Sequence, residues 1–294
     1  MQTLYLNWQL EPVLLGGLLA MTVAYYLAVG PLRSRLASGT PYPTASAALF
    51  GVALVLLFVN EGSPLHDLAE RYLLSAHMLQ HMLLSYLIAP LLLLATPPWL
   101  LRAALLNRAL GRTARFALSP VVTFFAFTLV VGIYHVPTIY NASLFNTSLH
   151  HAIHFVILTV SLMLWWPILS PLAELPRPAF PARMAYLFLL PIAQIPVFAA
   201  TIFSESPLYA AYANMPTRAF GLEVIADQRL AGLIMKIIMI SVHVVAMAIV
   251  FFAWFRSERF DRPGAGPKGA GIPALVTTTN DAGIGAEAVP APSK

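Results

Sequence analysis

The chain has 294 residues, of which 59% are hydrophobic and 10% are charged, and its mean hydropathy is +0.76. Soluble domains are about 45–50% apolar and about 25% charged. This composition excludes a soluble globular protein, a disordered chain and a DNA-binding module. The net charge of +5 does not indicate a nucleic-acid partner, because the basic residues share no common face. The chain has no cysteine, which excludes a disulfide framework, a thiolate metal site and a cysteine nucleophile.

Seven apolar stretches, each near the length of about 20 residues that a membrane span needs, predict an all-α integral membrane protein with seven transmembrane helices. In chain order the predicted spans are 12–31, 44–60, 72–96, 119–136, 148–169, 184–204 and 230–255. The second is at the short end of the spanning range. The spans differ in sequence, so no internal repeat is expected.

The basic residues predict the orientation of these spans. Alternate connections place twelve Lys and Arg residues on one side and only three on the other, namely Arg71, Arg218 and Arg229. Short loops rich in Lys and Arg stay in the cytoplasm. We therefore expect the N-terminus outside and the C-terminus in the cytoplasm. We also expect 1–260 to form the seven-helix domain and 261–294, rich in Gly, Ala, Pro and Thr, to form a disordered cytoplasmic tail.

The histidines concentrate near the predicted outer surface. Ionisable side chains are energetically costly inside a membrane, so each one requires a structural or functional explanation. All but His243 lie there: His66 in the loop before span three, His77 and His81 in span three, His135 at the end of span four, and His150, His151 and His154 in span five. Two pairs have i,i+4 spacing, which puts both imidazoles of a pair on one helix face. The pairs His77/His81 and His150/His154 have similar predicted depths, so they can converge on one site.

Two histidines at i,i+4 can chelate one metal ion, as in zinc hydrolases. No Glu lies between His77 and His81, so the general base of such an enzyme is missing. Imidazole suits zinc, copper, iron and nickel, whereas thioethers favour cuprous copper. Candidate thioethers are Met78 and Met82 beside the first pair, and a stripe at every fourth position of span seven: Met235, Met239, His243 and Met247. Copper is therefore the expected metal, although methionine also fills gaps in cores.

Two charged residues of span seven have open interpretations. Asp227, at the outer mouth of the span, can orient a histidine through its second nitrogen, pair with Arg229 or favour a helix start. Lys236 lies deeper and is costly in lipid unless it is paired or faces a wet cavity. The sequence does not identify its partner.

Several motifs are similar to those of the seven-span CtaG-type cytochrome c oxidase assembly factors. In the family's order they are Ser75–Leu84 (SAHMLQHMLL), Tyr134–Pro137 (YHVP) with Tyr140 and Asn141, His150–His154 (HHAIH) followed by Trp165–Pro167 (WWP), Pro207–Tyr209 (PLY), Tyr212 with Ala213, and Asp227–Met235 (DQRLAGLIM). The similarity covers about 8–260. Lys236 stands where a large apolar residue is expected, and His243 has no counterpart.

The resemblance implies a non-enzymatic bacterial inner-membrane protein that supports copper delivery to the copper B centre of a haem–copper oxidase. By position it implies a histidine set for the metal, comprising His77, His81, His135, His150 and His154, and an acidic position at Asp227. The implied partners are the catalytic subunit of the oxidase, a periplasmic copper chaperone and the lipid bilayer, with no nucleic acid. The family name also denotes a single-span copper chaperone with essential cysteines, which this cysteine-free chain cannot be.

Three other functions remain open at this point. Histidines on two helices can hold a haem for electron transfer, although haem needs only one histidine from each helix. Seven spans with Lys236 in the last suggest a retinal protein, but span three has no carboxylate counter-ion. A metal-free assembly scaffold, in which the histidines serve the fold, is also compatible with the sequence.

Overall fold

The computed structural model describes residues 7–106, 109–169, 171–215 and 219–260, and within these ranges the protein is all-helical, without a strand. The α-helices of this part of the chain are, in order, α1 (Pro12–Val29), α2 (Arg33–Leu36), α3 (Thr44–Gly62), α4 (Pro64–Arg71), α5 (Leu74–Leu83), α6 (Ala89–Ala95), α7 (Pro98–Leu105), α8 (Gly111–Ala117), α9 (Pro120–Tyr134), α10 (Pro137–Leu144), α11 (Thr147–Leu169), α12 (Phe180–Ala193), α13 (Ile195–Phe203), α14 (Ala210–Ala213) and α15 (Val224–Phe260). The prediction of an all-α protein is confirmed.

Six segments are long and apolar enough to cross a membrane, which makes the chain a multi-pass membrane protein. They are Pro12–Val29, Thr44–Arg71, Leu74–Ala95, Thr147–Leu169, Phe180–Phe203 and Val224–Arg259. The bent pair α8 and α9, with 65° between the two helices, is a seventh if it counts as one span. The predicted number of seven is thus the upper value, because the 15 residues of α9 are fewer than the about 20 that a span requires. The side on which each terminus lies stays a prediction.

Span three, Leu74–Ala95, is the central helix and is interrupted by a π-helical turn. The turn, Leu84–Ile88, joins α5 to α6 directly before Pro90. Proline has no N–H to donate, so the regular hydrogen-bond pattern cannot continue through this position. The Ser85 carbonyl within the turn accepts a hydrogen bond from Trp165 Nε1 at 2.8 Å. The turn therefore ties the central helix to α11, just beyond the two histidines of α5.

Span two continues past its predicted end, and this changes the setting of His66. Ser63 interrupts the helix, its hydroxyl accepts a hydrogen bond from Leu65 N–H at 3.2 Å, and Pro64 opens α4. A serine N-cap followed by proline is a favourable helix start. The prediction that His66 lies in a loop is therefore wrong. It is a buried residue of α4, one helical turn before Glu70.

The last two spans also differ in length from the prediction. Span six consists of α12 and α13, which meet at the buried Gln194, with Pro191 and Pro196 on either side. The last helix begins at Val224 rather than 230. Residues Met1–Trp254 form one compact unit, and a second unit begins at Phe255. The predicted tail, 261–294, lies outside the described residues.

We expect Gly232→Ala to destabilise the contact between α15 and α13. A Cβ atom at this position would lie 2.5 Å from Ile202 Cγ1 and 3.2 Å from the Phe198 carbonyl oxygen. Overpacking of this kind costs about 1–3 kcal/mol. The matched control is Gly132→Ala, a helical glycine whose Cβ would meet no atom within 4 Å. Thermal unfolding in detergent should show a lower midpoint for Gly232→Ala alone; equal midpoints for the two variants would contradict the predicted close packing.

Candidate metal centre

Three helices bring five histidines into one buried cluster. His66 comes from α4, His77 and His81 from α5, and His150 and His154 from α11. The ring centroids of His77 and His150 lie 5.3 Å apart, and those of His81 and His154 lie 4.9 Å apart. The predicted convergence of the pairs on span three and span five is therefore present in the structure. The metal-ligand role of these residues stays a prediction.

Within this cluster, His77, His81 and His154 form a trio whose ring nitrogens converge. His81 Nε2 lies 3.0 Å from His77 Nε2 and 3.2 Å from His154 Nε2. All three side chains are at most 6% exposed. Three ligands at about 2.0–2.1 Å from a metal ion, at tetrahedral angles, lie roughly 3.3 Å from one another. The two distances to His81 match this value, and all three ligand atoms lie within 4.8 Å of one another, so the trio could hold one ion.

The hydrogen bonds on the other side of two of these rings determine which nitrogen carries the proton. Tyr212 Oη donates its hydrogen to the Ala69 carbonyl at 2.6 Å, so it can only accept at His77 Nδ1, 2.8 Å away. Burial raises the pKa of Tyr212 well above its usual value, which keeps the phenol protonated. Neutral His77 therefore carries its proton on Nδ1, and the lone pair of its Nε2 faces His81 at 3.0 Å and the Tyr134 hydroxyl at 3.3 Å.

His154 follows the same logic through a carboxylate. Its Nδ1 lies 2.8 Å from Glu61 Oε2, and the other oxygen of Glu61 accepts a hydrogen bond from Asn60 Nδ2 at 2.9 Å. A carboxylate accepts, so His154 donates from Nδ1 and its Nε2 lone pair faces the trio. Carboxylate–histidine pairs of this kind orient metal ligands and raise their basicity. Two of the three nitrogens are thus prepared for a metal ion.

A second group contains His66, Glu70 and His150 and lies directly beside the trio, because the ring centroids of His150 and His154 are 4.3 Å apart. The metal-ligand role predicted for His150 stays a prediction. One oxygen, Glu70 Oε1, lies 3.4 Å from His66 Nε2 and 3.2 Å from His150 Nε2. Gln80 Nε2 donates to His66 Nδ1 at 3.2 Å, which leaves the proton of neutral His66 on Nε2, facing the carboxylate. His66 is therefore set to donate to Glu70, whereas neither ring nitrogen of His150 makes a hydrogen bond within the described part of the chain, despite the nearby Glu70 oxygen.

His135 and His243 lie outside both groups. His135 Nδ1 is 2.7 Å from the Val131 carbonyl, and its Nε2 is 3.5 Å from Met78 Sδ. His243 Nδ1 is 2.7 Å from the Met239 carbonyl, and its ring lies against Trp165. The predicted soft stripe of span seven does face inward: Met235, Met239 and His243 are buried and Met247 is partly buried.

One cavity joins His81 to several of these softer ligands. Its lining includes His81, Met82, His135, Met235 and Met239, together with apolar side chains of α9, α11 and α13. The cavity therefore extends the site from the trio toward the thioethers.

His151, which is not among the predicted metal ligands, pairs with Glu11 at 3.0 Å.

The two charged residues of span seven now have partners. Asp227 accepts hydrogen bonds from the N–H groups of Leu74 at 2.8 Å and Ser75 at 3.1 Å, so it caps the start of α5. The reading of a helix start concerned span seven itself, whereas these two bonds support the start of the neighbouring helix, which carries His77 and His81. The Lys236 side chain is exposed on the outer face of α15, with its Nζ 5.8 Å from the Phe198 ring centroid. This outward position disfavours a retinal protein, which needs an enclosed lysine.

Sequence reasoning missed Glu61, Glu70 and Tyr212 as parts of this centre. Glu61 follows an apolar run, where a carboxylate needs the same justification as the histidines, and Glu70 is at i+4 from His66. Tyr212 was noted within a motif but received no role. The i,i+4 spacing of His66 and Glu70 and the cost of the Glu61 carboxylate in an apolar segment are signals that the sequence contains. Neither signal identifies the histidine that Glu61 contacts.

The comparisons with known proteins give one match. A family model described as cytochrome c oxidase caa3 assembly factor (Caa3_CtaG) matches residues 23–257. No curated protein and no solved structure gives a significant match. The matched region contains all eight histidines, so both histidine groups lie inside it.

Proposed function

Because the chain belongs to the cytochrome c oxidase caa3 assembly factor family, we propose that it is a non-catalytic factor that holds copper on His77, His81 and His154 and supports its delivery to the copper B centre of a haem–copper oxidase. Copper is the cargo, and its transfer is an exchange of ligands. The observation that carries the proposal is the convergence of three buried Nε2 atoms, two of them with hydrogen bonds that leave a lone pair for the metal.

The geometry favours a bare metal ion over haem. Axial haem ligation needs one nitrogen on each face of a macrocycle, but His81 Nε2 lies within 3.2 Å of both other nitrogens of the trio. A porphyrin does not fit between groups so close together. The acidic partner Glu61 also suits a cation, since it offsets part of the positive charge in a buried place.

The proposed location is the outer half of a bacterial inner membrane. The distribution of Lys and Arg supports an outside N-terminus and a cytoplasmic C-terminus, which puts the beginning of α5 and the histidine cluster near the outer surface. In this position the site would receive copper from a periplasmic chaperone and pass it to the catalytic subunit of the oxidase within the bilayer.

Copper analysis of the detergent-solubilised protein, with an absorbance scan of the same sample, tests this function. We expect the His77→Ala/His81→Ala double variant to bind one copper ion fewer for each chain than the wild type, and neither protein to show a Soret band. Cells that carry only the double variant should make an oxidase deficient in copper B, while His151→Ala should support normal assembly.

Each alternative has its own result in this experiment. A Soret band that disappears in the double variant would indicate a haem protein. Absence of copper from both proteins after incubation with cuprous ion, together with normal oxidase assembly by the double variant, would leave a metal-free scaffold and refute copper carriage.

A further inference from the structure

We propose that His135 and Met78, with the thioethers of the adjoining cavity, form a second copper station that is specific for the cuprous ion. This inference rests on the proposed function for its cargo, but it concerns different ligands from the trio. It assigns an oxidation state that the trio alone does not provide.

The first argument is the contact between two lone-pair donors. The Val131 carbonyl can only accept, so neutral His135 carries its proton on Nδ1, 2.7 Å from that oxygen. The lone pair of His135 Nε2 therefore faces Met78 Sδ at 3.5 Å, and a thioether has no proton to donate. With metal–nitrogen bonds of about 2.0 Å and metal–sulfur bonds of about 2.3 Å, two ligands at a tetrahedral angle lie roughly 3.5 Å apart.

The second argument is the position of His135 on the cavity that His81 also lines. Met82, Met235 and Met239 line the same space, so an ion that leaves the trio through His81 meets sulfur ligands there. Met78, Met82, Met235 and Met239 are each at most 8% exposed. Two helices, α5 and α15, thus contribute four buried thioethers, one in contact with His135 and three on the wall of the cavity that His135 lines.

The third argument is charge. The described residues that line the cavity include no carboxylate, and most of the others are apolar. The cost of moving an ion out of water grows with the square of its charge, so a divalent ion is penalised far more than a monovalent one. Neutral imidazole and thioether ligands in such a cavity select Cu(I), whereas Zn(II) and Cu(II) prefer nitrogen and oxygen ligands.

The two sites have different ligands but share one residue, His81. The trio provides nitrogen ligands with Glu61 as a compensating charge, and the second station provides nitrogen and sulfur without a charge. His81 belongs to the trio and lines the cavity, so it is the residue through which copper passes from one site to the other by ligand exchange.

X-ray absorption at the copper edge tests the second station, because it distinguishes sulfur from nitrogen neighbours. The purified full chain would be loaded anaerobically with two equivalents of Cu(I) in ascorbate, and loosely bound copper would then be removed. We expect two retained copper ions for each chain and a sulfur shell at about 2.3 Å. The Met78→Leu and Met235→Leu/Met239→Leu variants should lose this shell and keep one copper ion with nitrogen neighbours only. These exchanges conserve volume and should preserve the fold.

The controls separate this proposal from the copper trio. Met184→Leu changes a methionine of α12 outside the cavity and should keep both ions and the sulfur shell. His77→Ala/His81→Ala should keep the sulfur-bound ion alone. One nitrogen-bound ion that this double variant loses would overturn the second station and leave the proposed function intact. One sulfur-bound ion that survives in it would support the station and refute the trio. A sulfur shell unchanged in the Met78→Leu/Met235→Leu/Met239→Leu variant would refute the assignment of these ligands.

Discussion

His81→Ala is expected to lower the affinity of the trio for copper by about 10²–10³-fold. His81 Nε2 lies within 3.2 Å of both His77 Nε2 and His154 Nε2, so it links the other two ligands of the trio. Without it, only His77 and His154 remain to hold the ion. Metal binding at a complete protein site is worth about 10–16 kcal/mol, so one ligand contributes roughly 3–4 kcal/mol. Each 1.4 kcal/mol changes Kd about tenfold. Competition with a cuprous chelator of known affinity would measure the change.

The control for this prediction is His151→Ala, which removes an imidazole that is three residues from His154 in the sequence but outside both histidine groups. His151 pairs with Glu11 and is 27% exposed, so its removal should leave Kd unchanged within a factor of two or so. Equal losses of affinity in both variants would indicate a general effect on the fold and refute the specific role of His81.

Asp227→Ala is expected to destabilise the protein by about 2–5 kcal/mol and to weaken copper binding as a consequence. The Asp227 carboxylate is 1% exposed and accepts two backbone hydrogen bonds at the start of α5. The residue at the N-cap position of that helix, Leu73, has no side-chain acceptor of its own. Loss of the carboxylate leaves two buried N–H groups without this partner, at about 1–3 kcal/mol each. The first turn of α5, which includes His77, then frays. The His77 imidazole loses its fixed position, and copper binding weakens.

Thermal unfolding followed by circular dichroism would check the stability, and chelator competition would check the affinity. The matched control is Glu223→Gln, because Glu223 is an exposed carboxylate just before α15, the helix that carries Asp227. This substitution should change stability by no more than about 0.5 kcal/mol. Asp227→Asn keeps one side-chain oxygen that accepts a hydrogen bond, so its unfolding temperature should fall between those of the wild type and Asp227→Ala. If Asp227→Ala unfolds at the wild-type temperature, the cap does not stabilise α5.

The features that the sequence predicted well are those with a local signal. A run of about 20 apolar residues identifies a span without knowledge of its neighbours, and i,i+4 spacing puts His77 and His81 on one face by helical geometry alone. Similar depths in two spans were enough to predict that the pair on span five approaches this face. The incorrect prediction for His66 also has a local cause, because Ser63 and Pro64 form a helix start that is visible in the sequence.

The features that could not be predicted depend on pairs that are distant in the chain. Glu61 and His154 are 93 positions apart, and Asp227 and Leu74 are 153 positions apart. No periodicity connects such residues, since the rotation of each helix about its axis decides which side chains meet. The contact between His150 and Glu70 has the same origin: the sequence places His150 on one face with His154, but not beside Glu70 of α4, 3.2 Å from its Nε2.

The π-helical turn Leu84–Ile88 has a consequence for how span three tolerates changes of length. A π turn holds one residue more than an α turn, and each residue rotates an α-helix by about 100°. The histidine-bearing half of the span is therefore rotated by about this angle relative to a continuous helix through Ala89–Ala95. Deletion of a single residue in the turn would remove this extra rotation and aim His77 and His81 away from α11, while the hydropathy of the span stayed almost the same. Two homologous spans of equal apolar character can thus differ entirely in their capacity to hold a metal ion.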